Sequence, residues 1–345
     1  MTMQLHLPVP VARPTGRPFR RAIASAPMRV SFAGGGSDVP PLFSGIGGRV
    51  VGTAIDVRVR VVVEPFDRGW IRLEAPLTGR TITRRRTEPA RSEVDFRLLE
   101  AALARVGVDE GARVEVDTTI VPGAGLGGSS AAAVAALTAL HASLDRAVAP
   151  DVLIDDATAI ERQGLGNLCG SQDQIFAAYG GSLDLRFHER GRVHRRPLLA
   201  PADLMQRFTE GLLLVDTLVR RVSGAVLEDV ARRSSPVTTA ELVAAAGDVF
   251  RGFALGSLEH VLAGMRRSAL AKMRRCVGAS EATVELARCL SSLGAEVVRG
   301  CGAGRGGHVL VWGPPECHPS IRAALPPTWI VRAPAIGSPG VRLEA

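Results

Sequence analysis

The sequence predicts an α+β protein, in which strands and helices follow one another without the regular alternation of a doubly wound sheet. Three observations support this prediction. Val57, Val59, Val61 and Val63 alternate with mostly polar residues, which is typical of a strand with one buried face. Residues 131–144 have strong helix-forming composition. The chain has 345 residues, 46% of them apolar, which suffices for two domains or one elaborate domain.

Residues 1–23 are predicted to be a flexible tail. They contain four prolines and four arginines but no acidic residue. The proline spacing opposes a packed element, so the tail is expected to be dispensable. A transit peptide is the less favoured alternative, because the segment lacks an amphipathic stripe.

The rest of the first half is predicted element by element from its periodicity. Residues 49–64 form a strand, and residues 70–74 are expected to pair with it as a hairpin partner. Three arginines at 84–86 lie among Thr and Pro residues and are predicted to be a solvated loop. The remaining strands are predicted at 26–33, 113–120 and 180–187, and the helices at 96–106, 131–144 and 151–163.

A second half is predicted to begin near Ala200. Its first element is a buried strand over residues 208–216, which is rich in Leu and Val. Helical patterns then occur at 222–232, 239–255, 258–273 and 280–293. Further strands are predicted at 296–299, 308–312 and 329–332.

The charge balance favours small anionic ligands over nucleic acid. There are 42 Lys and Arg residues against 34 Asp and Glu, a net charge of +8, but only 4% of residues are aromatic and suited to base stacking. No apolar run approaches the roughly 20 residues that span a bilayer. Five cysteines without C-x-x-C spacing predict reduced thiols in a cytoplasmic protein.

The chain is organised around residues 121–133, which read V-P-G-A-G-L-G-G-S-S-A-A-A. The glycines allow positive φ and a close approach of ligand to backbone. A helix N-terminus follows, where free N–H groups and the helix dipole favour phosphate. The loop is neither a Walker A motif, since no lysine follows, nor a Rossmann fingerprint, since the spacing fails at Ser130. The expected phosphate-binding residues are Pro122, Gly123, Ala124, Gly125, Leu126, Gly127, Gly128, Ser129 and Ser130.

Three segments together resemble the motifs of one kinase family. Residues 26–38, A-P-M-R-V-S-F-A-G-G-G-S-D, resemble the first motif of the sugar-directed GHMP kinases, residues 121–133 the second, and residues 302–307, G-A-G-R-G-G, the third. Within this family, the chain is most similar to the D-glycero-D-manno-heptose 7-phosphate kinases. The similarity lies in the sequence R-V-S-F-A-G-G-G-S-D-V-P-P, together with G-S-Q-D-Q and a following G-G.

The resemblance implies a two-domain α+β architecture. Its N-terminal domain, residues 24–203, would be like ribosomal protein S5 domain 2 and would carry the ATP loop. Its C-terminal domain, residues 204–345, would be a ferredoxin-like α+β fold. The active site is expected between these two domains.

The resemblance also implies the catalytic residues. Asp173 matches the base that accepts or orients the proton of the acceptor hydroxyl, and Arg29 matches the basic residue beside it. Ser129 and Glu161 match the Mg²⁺ ligands, which are hard oxygen donors. Gly128 stands where a serine is more usual, so Ser130 remains an alternative to Ser129.

Substrate binding is implied for the first and third motifs. Asp38 matches a carboxylate that binds sugar hydroxyls, and an arginine replaces a customary glycine at Arg305. Arg305 and Arg49 are candidates for binding a phosphate on the substrate. The full set expected to bind substrate is Gly34, Gly35, Gly36, Ser37, Asp38, Gly302, Gly304 and Arg305.

The resemblance implies an ATP- and Mg²⁺-dependent kinase acting on the anomeric hydroxyl of a sugar phosphate, with a heptose 7-phosphate as the expected substrate. The alternatives are another sugar 1-kinase of this family, acting on fucose or an octose phosphate, and a catalytically silent ligand sensor. Neither nucleic acid nor a membrane is an expected partner, and the oligomeric state is left open.

Overall fold

Two β-sheets and the helices packed on them make up the protein. The computed structural model describes residues 19–43, 45–90, 96–189, 191–219, 232, 234–275, 281–304 and 306–345. The strands are β1 Ala22–Ala33, β2 Gly48–Pro65, β3 Trp70–Ala75, β4 Arg80–Arg85, β5 Ala112–Thr118, β6 Ser182–Phe187, β7 Val193–Pro197, β8 Leu212–Asp216, β9 Val297–Gly300, β10 His308–Trp312, β11 Ile330–Arg332 and β12 Arg342–Glu344.

Ten α-helices connect these strands within the described residues. They are α1 Pro40–Phe43, α2 Arg97–Val106, α3 Gly128–Ser143, α4 Pro150–Ala159, α5 Gln172–Tyr179, α6 Ala202–Glu210, α7 Pro236–Ala254, α8 Leu258–Arg275, α9 Glu281–Ser292 and α10 His318–Ala324. A π-helical turn over Ile160–Gly164 extends α4. No helix of the described segments is long and apolar enough to cross a membrane.

Strand β2 organises the larger sheet. It has 18 residues and pairs with β1 on one side, while its other side pairs first with β6 and then with β5. The strand order is β12-β1-β2-β5-β3-β4, with β6 and β7 attached at β2. Strand β3 therefore pairs with β5 and β4, and the prediction that residues 70–74 form a hairpin with the long strand is wrong. A parallel partner from later in the chain, β5, lies between them.

Helix α3 packs across this sheet against β1 and β2, with α2, α4 and α5 around it. Its residues are apolar on almost every side, and Ala131, Val134, Leu137 and Leu140 are all completely buried. A helix that is hydrophobic all round is typical of a core position. The start of α3 is consequently fixed relative to the sheet, which positions the glycine-rich loop before it.

The smaller sheet is antiparallel, in the order β11-β8-β10-β9. Its two faces belong to different clusters. Leu213 and Val215 in β8 pack with Leu290 and Ile321 on the outer side, whereas Leu212 and Leu214 face the main core. This alternation is the period-2 pattern of a sheet buried on both faces. Helices α7 and α8 pack together and bridge the two sheets, α7 against β2 and α8 against β9.

Several sequence predictions need correction. Residues 208–210 are the end of α6, not strand, because Phe208 lies one helical turn from Leu204 and both side chains are fully buried. Arg84 is not in a solvated loop: it lies in β4, is 7% exposed, and forms a two-bond ion pair with Glu100. The helix predicted at 222–232 lies outside the described residues except for Arg232.

Both ends of the chain differ from expectation. The last part of the predicted tail is folded, since Phe19 packs on the core, Arg20 N–H donates to the carbonyl of Ser143, and β1 begins at Ala22. At the other end, β12 pairs antiparallel with β1. The last residues of the predicted C-terminal domain thus belong to the first sheet, so the boundary at 203/204 does not separate two independent chain halves.

Candidate active site

The three glycine-rich segments meet at one place in the structure. In β1, the backbone N–H of Arg29 donates to the carbonyl of Leu126 at 3.0 Å. On the other side of the same loop, the N–H of His308 donates to the carbonyl of Ala124 at 2.9 Å. Strand β1, the loop before α3 and the loop between β9 and β10 are therefore joined by backbone hydrogen bonds.

Glycine is required where the second and third segments touch. A Cβ atom on Gly302 would lie 2.7 Å from the Cα of Gly125, and one on Gly307 would lie 2.4 Å from the carbonyl oxygen of Ala124. Gly302 also has φ of +57°, which side chains disfavour. The close approach of these two loops is what places residues 302–304 beside the predicted phosphate loop.

The loop before α3 has the geometry expected of an anion site. Gly123, Gly125 and Gly127 have φ of 83°, 82° and 76°. Helix α3 begins at Gly128, and Gly127 at its N-cap position has no side chain to cap the first turn. The first N–H groups of α3 are thus left for a ligand, and the helix dipole favours a negative charge there.

Arg29 and Asp173 form a bidentate ion pair at the mouth of this loop. Nε of Arg29 donates to Oδ1 of Asp173 at 2.7 Å and Nη2 donates to Oδ2 at 2.5 Å, while Nη1 donates to the carbonyl of Gly125 at 2.7 Å. Burial alone would lower the pKa of Arg29, but the carboxylate of Asp173 outweighs it and the pKa is raised. A Cβ on Gly127 would lie 3.2 Å from Oδ2 of Asp173, so this carboxylate lies directly against the phosphate loop.

Glu161 lies deeper, at the π-helical turn that follows α4. Its Oε1 accepts from Ser130 Oγ at 2.5 Å and from Gln174 Nε2 at 2.9 Å. Burial raises the pKa of Glu161 to about 7, opposed by the hydrogen bond from Ser130 and reinforced by the charge of Asp173. Ser129 is exposed on α3, so the structure brings Ser130 to Glu161 and does not bring Ser129 there.

The donor set at Ser130 and Glu161 fits Mg²⁺. Both supply hard oxygen atoms, and a carboxylate whose pKa is raised by burial is stabilised in its charged form by a nearby cation. Within the described segments no three His, Cys, Asp or Glu side chains are grouped to hold a metal. Two protein oxygens suit Mg²⁺, which usually keeps water and phosphate oxygens as its other ligands.

Asp38 is held by the residues around the start of α5. Its Oδ1 accepts from Gln172 Nε2 at 2.7 Å and from the Gly36 N–H at 3.2 Å. A Cβ on Gly170 would lie 1.7 Å from Oδ2 of Asp38, so only glycine fits there. Burial, and secondly the charge of Asp173, raise the pKa of Asp38 to about 6. The two aspartates expected to serve catalysis and sugar binding are thus electrostatically coupled.

Buried basic residues from the C-terminal half support the 34–36 loop. Nη1 of Arg299 donates to the carbonyl of Phe32 at 2.8 Å and to Ser268 Oγ at 3.0 Å, and Nη1 of Arg275 donates to the carbonyl of Gly36 at 3.1 Å. Burial lowers the pKa of Arg299 to about 10. No motif indicated Arg275 or Arg299, because their partners in the first motif, Gly36 and Phe32, are more than 230 residues away in the sequence.

Of the two arginines proposed from sequence for a substrate phosphate, the structure describes Arg49. Arg49 donates to both carboxylate oxygens of Asp184, at 2.7 and 2.9 Å, and its guanidinium lies 5.0 Å from the ring centroid of Phe250. Arg49 therefore has a structural partner already. Arg305 lies outside the described residues.

Two glutamines of the G-S-Q-D-Q segment were not assigned roles from sequence. Gln172 donates to Asp38 and Gln174 donates to Glu161, so each amide orients one buried carboxylate. In the described part of the molecule their Oε1 atoms are buried and have no hydrogen-bond partner. These two oxygens are exceptions to the rule that buried acceptors find a donor.

Comparison with known proteins shows which family the central part of the N-terminal half resembles. Residues 96–181 match the model of the GHMP kinases N terminal domain, and this range includes the phosphate loop, Glu161 and Asp173. Over this range the chain is similar to the GHMP kinases. The predicted resemblance and the α+β fold class are therefore confirmed.

Individual relatives extend the comparison. The chain is 25% identical over 177 residues to the D-glycero-alpha-D-manno-heptose 7-phosphate kinase of Campylobacter jejuni, a match that spans 50% of this chain and 52% of that protein. The crystal structure of a D-glycero-D-manno-heptose 1-phosphate kinase from Bacteriodes thetaiotaomicron has a TM-score of 0.73 at 19% identity, covering 94% of this chain and 99% of that one. Lactococcus lactis galactokinase has a TM-score of 0.74 at 14% identity, covering 95% and 96%. The GHMP fold thus extends over nearly the whole chain, while sequence similarity covers half.

Proposed function

We propose that this protein is an ATP-dependent sugar kinase of the GHMP family that phosphorylates the anomeric hydroxyl of a heptose 7-phosphate, giving the 1,7-bisphosphate. The observation that carries the proposal is the Arg29–Asp173 pair lying against the phosphate loop at Gly127. A carboxylate in that position is within reach of both a bound phosphate and an acceptor hydroxyl. The partial similarity to a heptose 7-phosphate kinase supports the choice of sugar.

The residues divide the work of phosphoryl transfer. Residues 122–128 and the N-terminus of α3 hold the ATP phosphates. Asp173 orients the acceptor hydroxyl and takes its proton as the acceptor oxygen bonds to the γ-phosphorus and the bond from that phosphorus to the β,γ-bridging oxygen breaks. Arg29 fixes Asp173 and stabilises negative charge on the transferred group.

Mg²⁺ would be held by Glu161 and Ser130, and when bound it supplies neutralising charge to the β- and γ-phosphates. Ser129, the serine first matched to the family motif, is the alternative Mg²⁺ ligand, because it lies in the first turn of α3. In that alternative, Ser130 would only link the phosphate loop to the carboxylate of Glu161.

An anionic acceptor fits the electrostatics of the first motif. Arg299 is buried below the 34–36 loop, and among the described residues no carboxylate contacts it. Arg275 contacts the same loop from α8. Buried positive charge of this kind favours a phosphate nearby, and a sugar phosphate brings one.

A cytoplasmic location is supported by the need for ATP and by the free thiols Cys169, Cys289, Cys301 and Cys317.

The function is tested with a panel of acceptors in the presence of ATP and Mg²⁺. The panel contains D-glycero-D-manno-heptose 7-phosphate, its unphosphorylated parent, fucose, galactose and mevalonate, with products located by phosphorus NMR. We expect a new anomeric phosphate on heptose 7-phosphate, and a kcat/KM for the parent sugar at least tenfold lower.

Different outcomes overturn different parts of the proposal. Equal kcat/KM for the sugar and its 7-phosphate would remove the phosphate-bearing substrate but leave a sugar kinase. A preference for fucose or another sugar would change the substrate alone. Tight ATP binding without phosphoryl transfer to any acceptor would replace the kinase with a ligand sensor.

A further inference from the structure

Of the 42 Lys and Arg residues in this chain, Lys272 is the single lysine. The two side chains are not interchangeable, because arginine presents a planar fork of donors whereas lysine carries a compact ammonium with three donors on a flexible stem. Lys272 lies on α8 and is only 8% exposed. Lysine is rarely buried without partners, so the contacts of this side chain show what the position requires.

The ammonium of Lys272 holds the loop between β9 and β10. Its Nζ donates to the carbonyl of Gly300 at 2.8 Å and to the carbonyl of Gly302 at 2.5 Å. Gly300 ends β9, and Gly302 begins the third glycine-rich segment. Hydrogen bonds from a charged donor are stronger than those between neutral groups, so α8 is tied firmly to this loop.

The loop that Lys272 holds is the one that lies against the phosphate loop. A Cβ on Gly302 would be 2.7 Å from the Cα of Gly125 and 2.8 Å from its carbonyl oxygen. The carbonyl of Gly302 and the N–H of Ala303 belong to one planar trans peptide and point in opposite directions. Lys272 therefore fixes both the position of Gly302 beside the phosphate loop and the orientation of the peptide that follows it.

Helix α8 is itself fixed to the first glycine-rich segment. Ser268, one turn before Lys272, accepts from the N–H of Gly34 at 3.1 Å, and Arg275, one turn after it, donates to the carbonyl of Gly36 at 3.1 Å. Residues at this spacing share one face of a helix. This face of α8 therefore contacts the first segment at both ends and the third segment through Lys272 in the middle.

The charge of Lys272 acts on the same region as that of Arg29. Burial raises the pKa of the Cys301 thiol, and the positive charges of Lys272, Arg29 and Arg299 act to lower it. Cys301 lies between the two glycines that accept from Lys272, while Arg29 contacts the carbonyl of Gly125 in the phosphate loop. Buried positive charge at this place favours a bound phosphate, because charges interact more strongly in the interior than in water.

We infer that Lys272 is a positioning residue for the nucleotide phosphates, which holds the third glycine-rich loop against the phosphate loop and adds a buried positive charge near it. The inference rests on the proposed kinase function and extends it to α8. An ammonium suits this role because its separate donors reach two carbonyls of one tight loop, whereas the donors of a guanidinium lie in one plane.

The first test measures nucleotide binding without any acceptor. Lys272→Met removes the charge and the donors but keeps an unbranched side chain, and Arg274→Met, at a side chain of the same helix that is 57% exposed, is the matched control. In isothermal titration with the Mg²⁺ complex of AMP-PNP, we expect the affinity to fall about tenfold in Lys272→Met and to stay at the wild-type value in Arg274→Met. Lys272→Arg, which keeps the charge, should lose less than Lys272→Met, and thermal unfolding should confirm that the variants fold.

Steady-state kinetics separates positioning of the nucleotide from general damage to the site. With heptose 7-phosphate as acceptor, Lys272→Met should raise the KM for ATP and leave the KM for the acceptor unchanged, because Ser268 and Arg275 still hold the first segment. An equal rise of both KM values would mean that Lys272 only supports the fold, and would overturn the inference.

The single lysine also allows a spectroscopic test. In protein made with lysine labelled by nitrogen-15, the Nζ of Lys272 gives one side-chain signal, which needs no mutant for its assignment. Saturation with the Mg²⁺ complex of AMP-PNP should shift this signal, because the phosphate charges come close to the ammonium. A signal that stays in place at saturation would contradict the inference.

Failure of the inference is distinguishable from failure of the proposed function. Nucleotide binding of equal affinity in the wild type and Lys272→Met overturns the inference alone. If no sugar is phosphorylated but the nucleotide affinity falls in Lys272→Met, the inference holds for a nucleotide-binding protein that is not a sugar kinase. A wild-type protein that binds no nucleotide overturns both.

Discussion

Arg29 is the residue through which the parts of the site contact one another. Its side chain binds Asp173 on α5 and the carbonyl of Gly125, and its backbone N–H binds Leu126. One buried guanidinium therefore fixes both the proposed base and the phosphate loop. Any movement of the loop on ligand binding would therefore also move the guanidinium of Arg29 and the carboxylate of Asp173.

The first prediction concerns Asp173. Asp173→Asn should fold and bind ATP but lose about 10²–10⁴-fold in kcat, because an amide cannot take the acceptor proton. Steady-state kinetics and ATP titration measure the two effects separately. Asp203→Asn, on the exposed first turn of α6, serves as the matched control and should keep full activity. A kcat near that of the wild type for Asp173→Asn would remove Asp173 from the catalytic role.

The second prediction concerns pH and Asp38. The pKa of Asp38 is about 6 in the folded protein against an ordinary value of 3.8, so the folded state binds more protons than the unfolded state between these values. The free energy of unfolding should then fall as pH rises from about 4 to about 7, by on the order of 2 kcal/mol from this group.

Chemical denaturation of the ligand-free protein at pH 4.5 and 7.5 checks this sign. Asp38→Asn should reduce the difference between the two pH values, whereas Asp67→Asn, at an exposed turn, should leave it as in the wild type. An unchanged pH dependence in Asp38→Asn would mean that this carboxyl is not the buried acid described.

Single residues also show the limit of prediction from sequence. The motif indicated a serine beside Glu161 but not which one, because the choice depends on whether α3 begins at residue 128 or one residue later. Arg84 was assigned to a solvated loop and Arg49 was a candidate for binding a substrate phosphate, because their partners, Glu100 and Asp184, are identified only by the folded chain. Charge type predicts a partner, but sequence alone does not place it.

At the level of elements, the strands and helices with regular periodicity were predicted within a few residues. Strand β2 and helices α2, α3 and α8 are examples, since each has a face or an interior that the pattern of apolar residues reveals. Strand pairing was not predictable from the same signal. The insertion of β5 between β2 and β3, and the short β7 and β12, depend on contacts between distant segments.

The third prediction tests the contact between the two loops of the site. Gly302→Ala would place a Cβ 2.7 Å from the Cα of Gly125 and should push the loops apart, lowering ATP affinity about tenfold or more. Gly79→Ala is the matched control, because Gly79 has a similar positive φ of +66° but open space around it.

Both variants carry the backbone strain of a side chain at positive φ, so the difference between their ATP affinities reports the contact between the loops. ATP affinity is measured by isothermal titration and folding by thermal unfolding. Equal ATP affinity in Gly302→Ala and Gly79→Ala would show that the β9–β10 loop does not support the phosphate loop.

Across the whole molecule, the C-terminal half of the chain contacts the N-terminal half at several points. Arg275 and Arg299, from the C-terminal half, hold the 34–36 loop of the first motif. The end of the chain returns to the first sheet, where Ile336 bridges to Ile55 and Pro339 to Gly180. The family motifs predicted that three distant segments would form one site, and they do meet, but no sequence signal predicted that the C-terminal residues would close over α5.

The last prediction follows from that closure. Val341 N–H donates to the carbonyl of Ala178 near the end of α5, and a Cβ on Gly340 would lie 2.1 Å from the same carbonyl oxygen. Gly340→Ala should therefore displace the segment, lower the melting temperature by several degrees and reduce kcat, because α5 also carries Asp173. Gly337→Ala, in the same segment, has open space around it but a φ of +76°, so it shows the effect of backbone strain without a clash. Thermal unfolding and steady-state kinetics measure both effects, and a Gly340→Ala enzyme with the stability and kcat of the wild type would show that the C-terminal segment does not position α5.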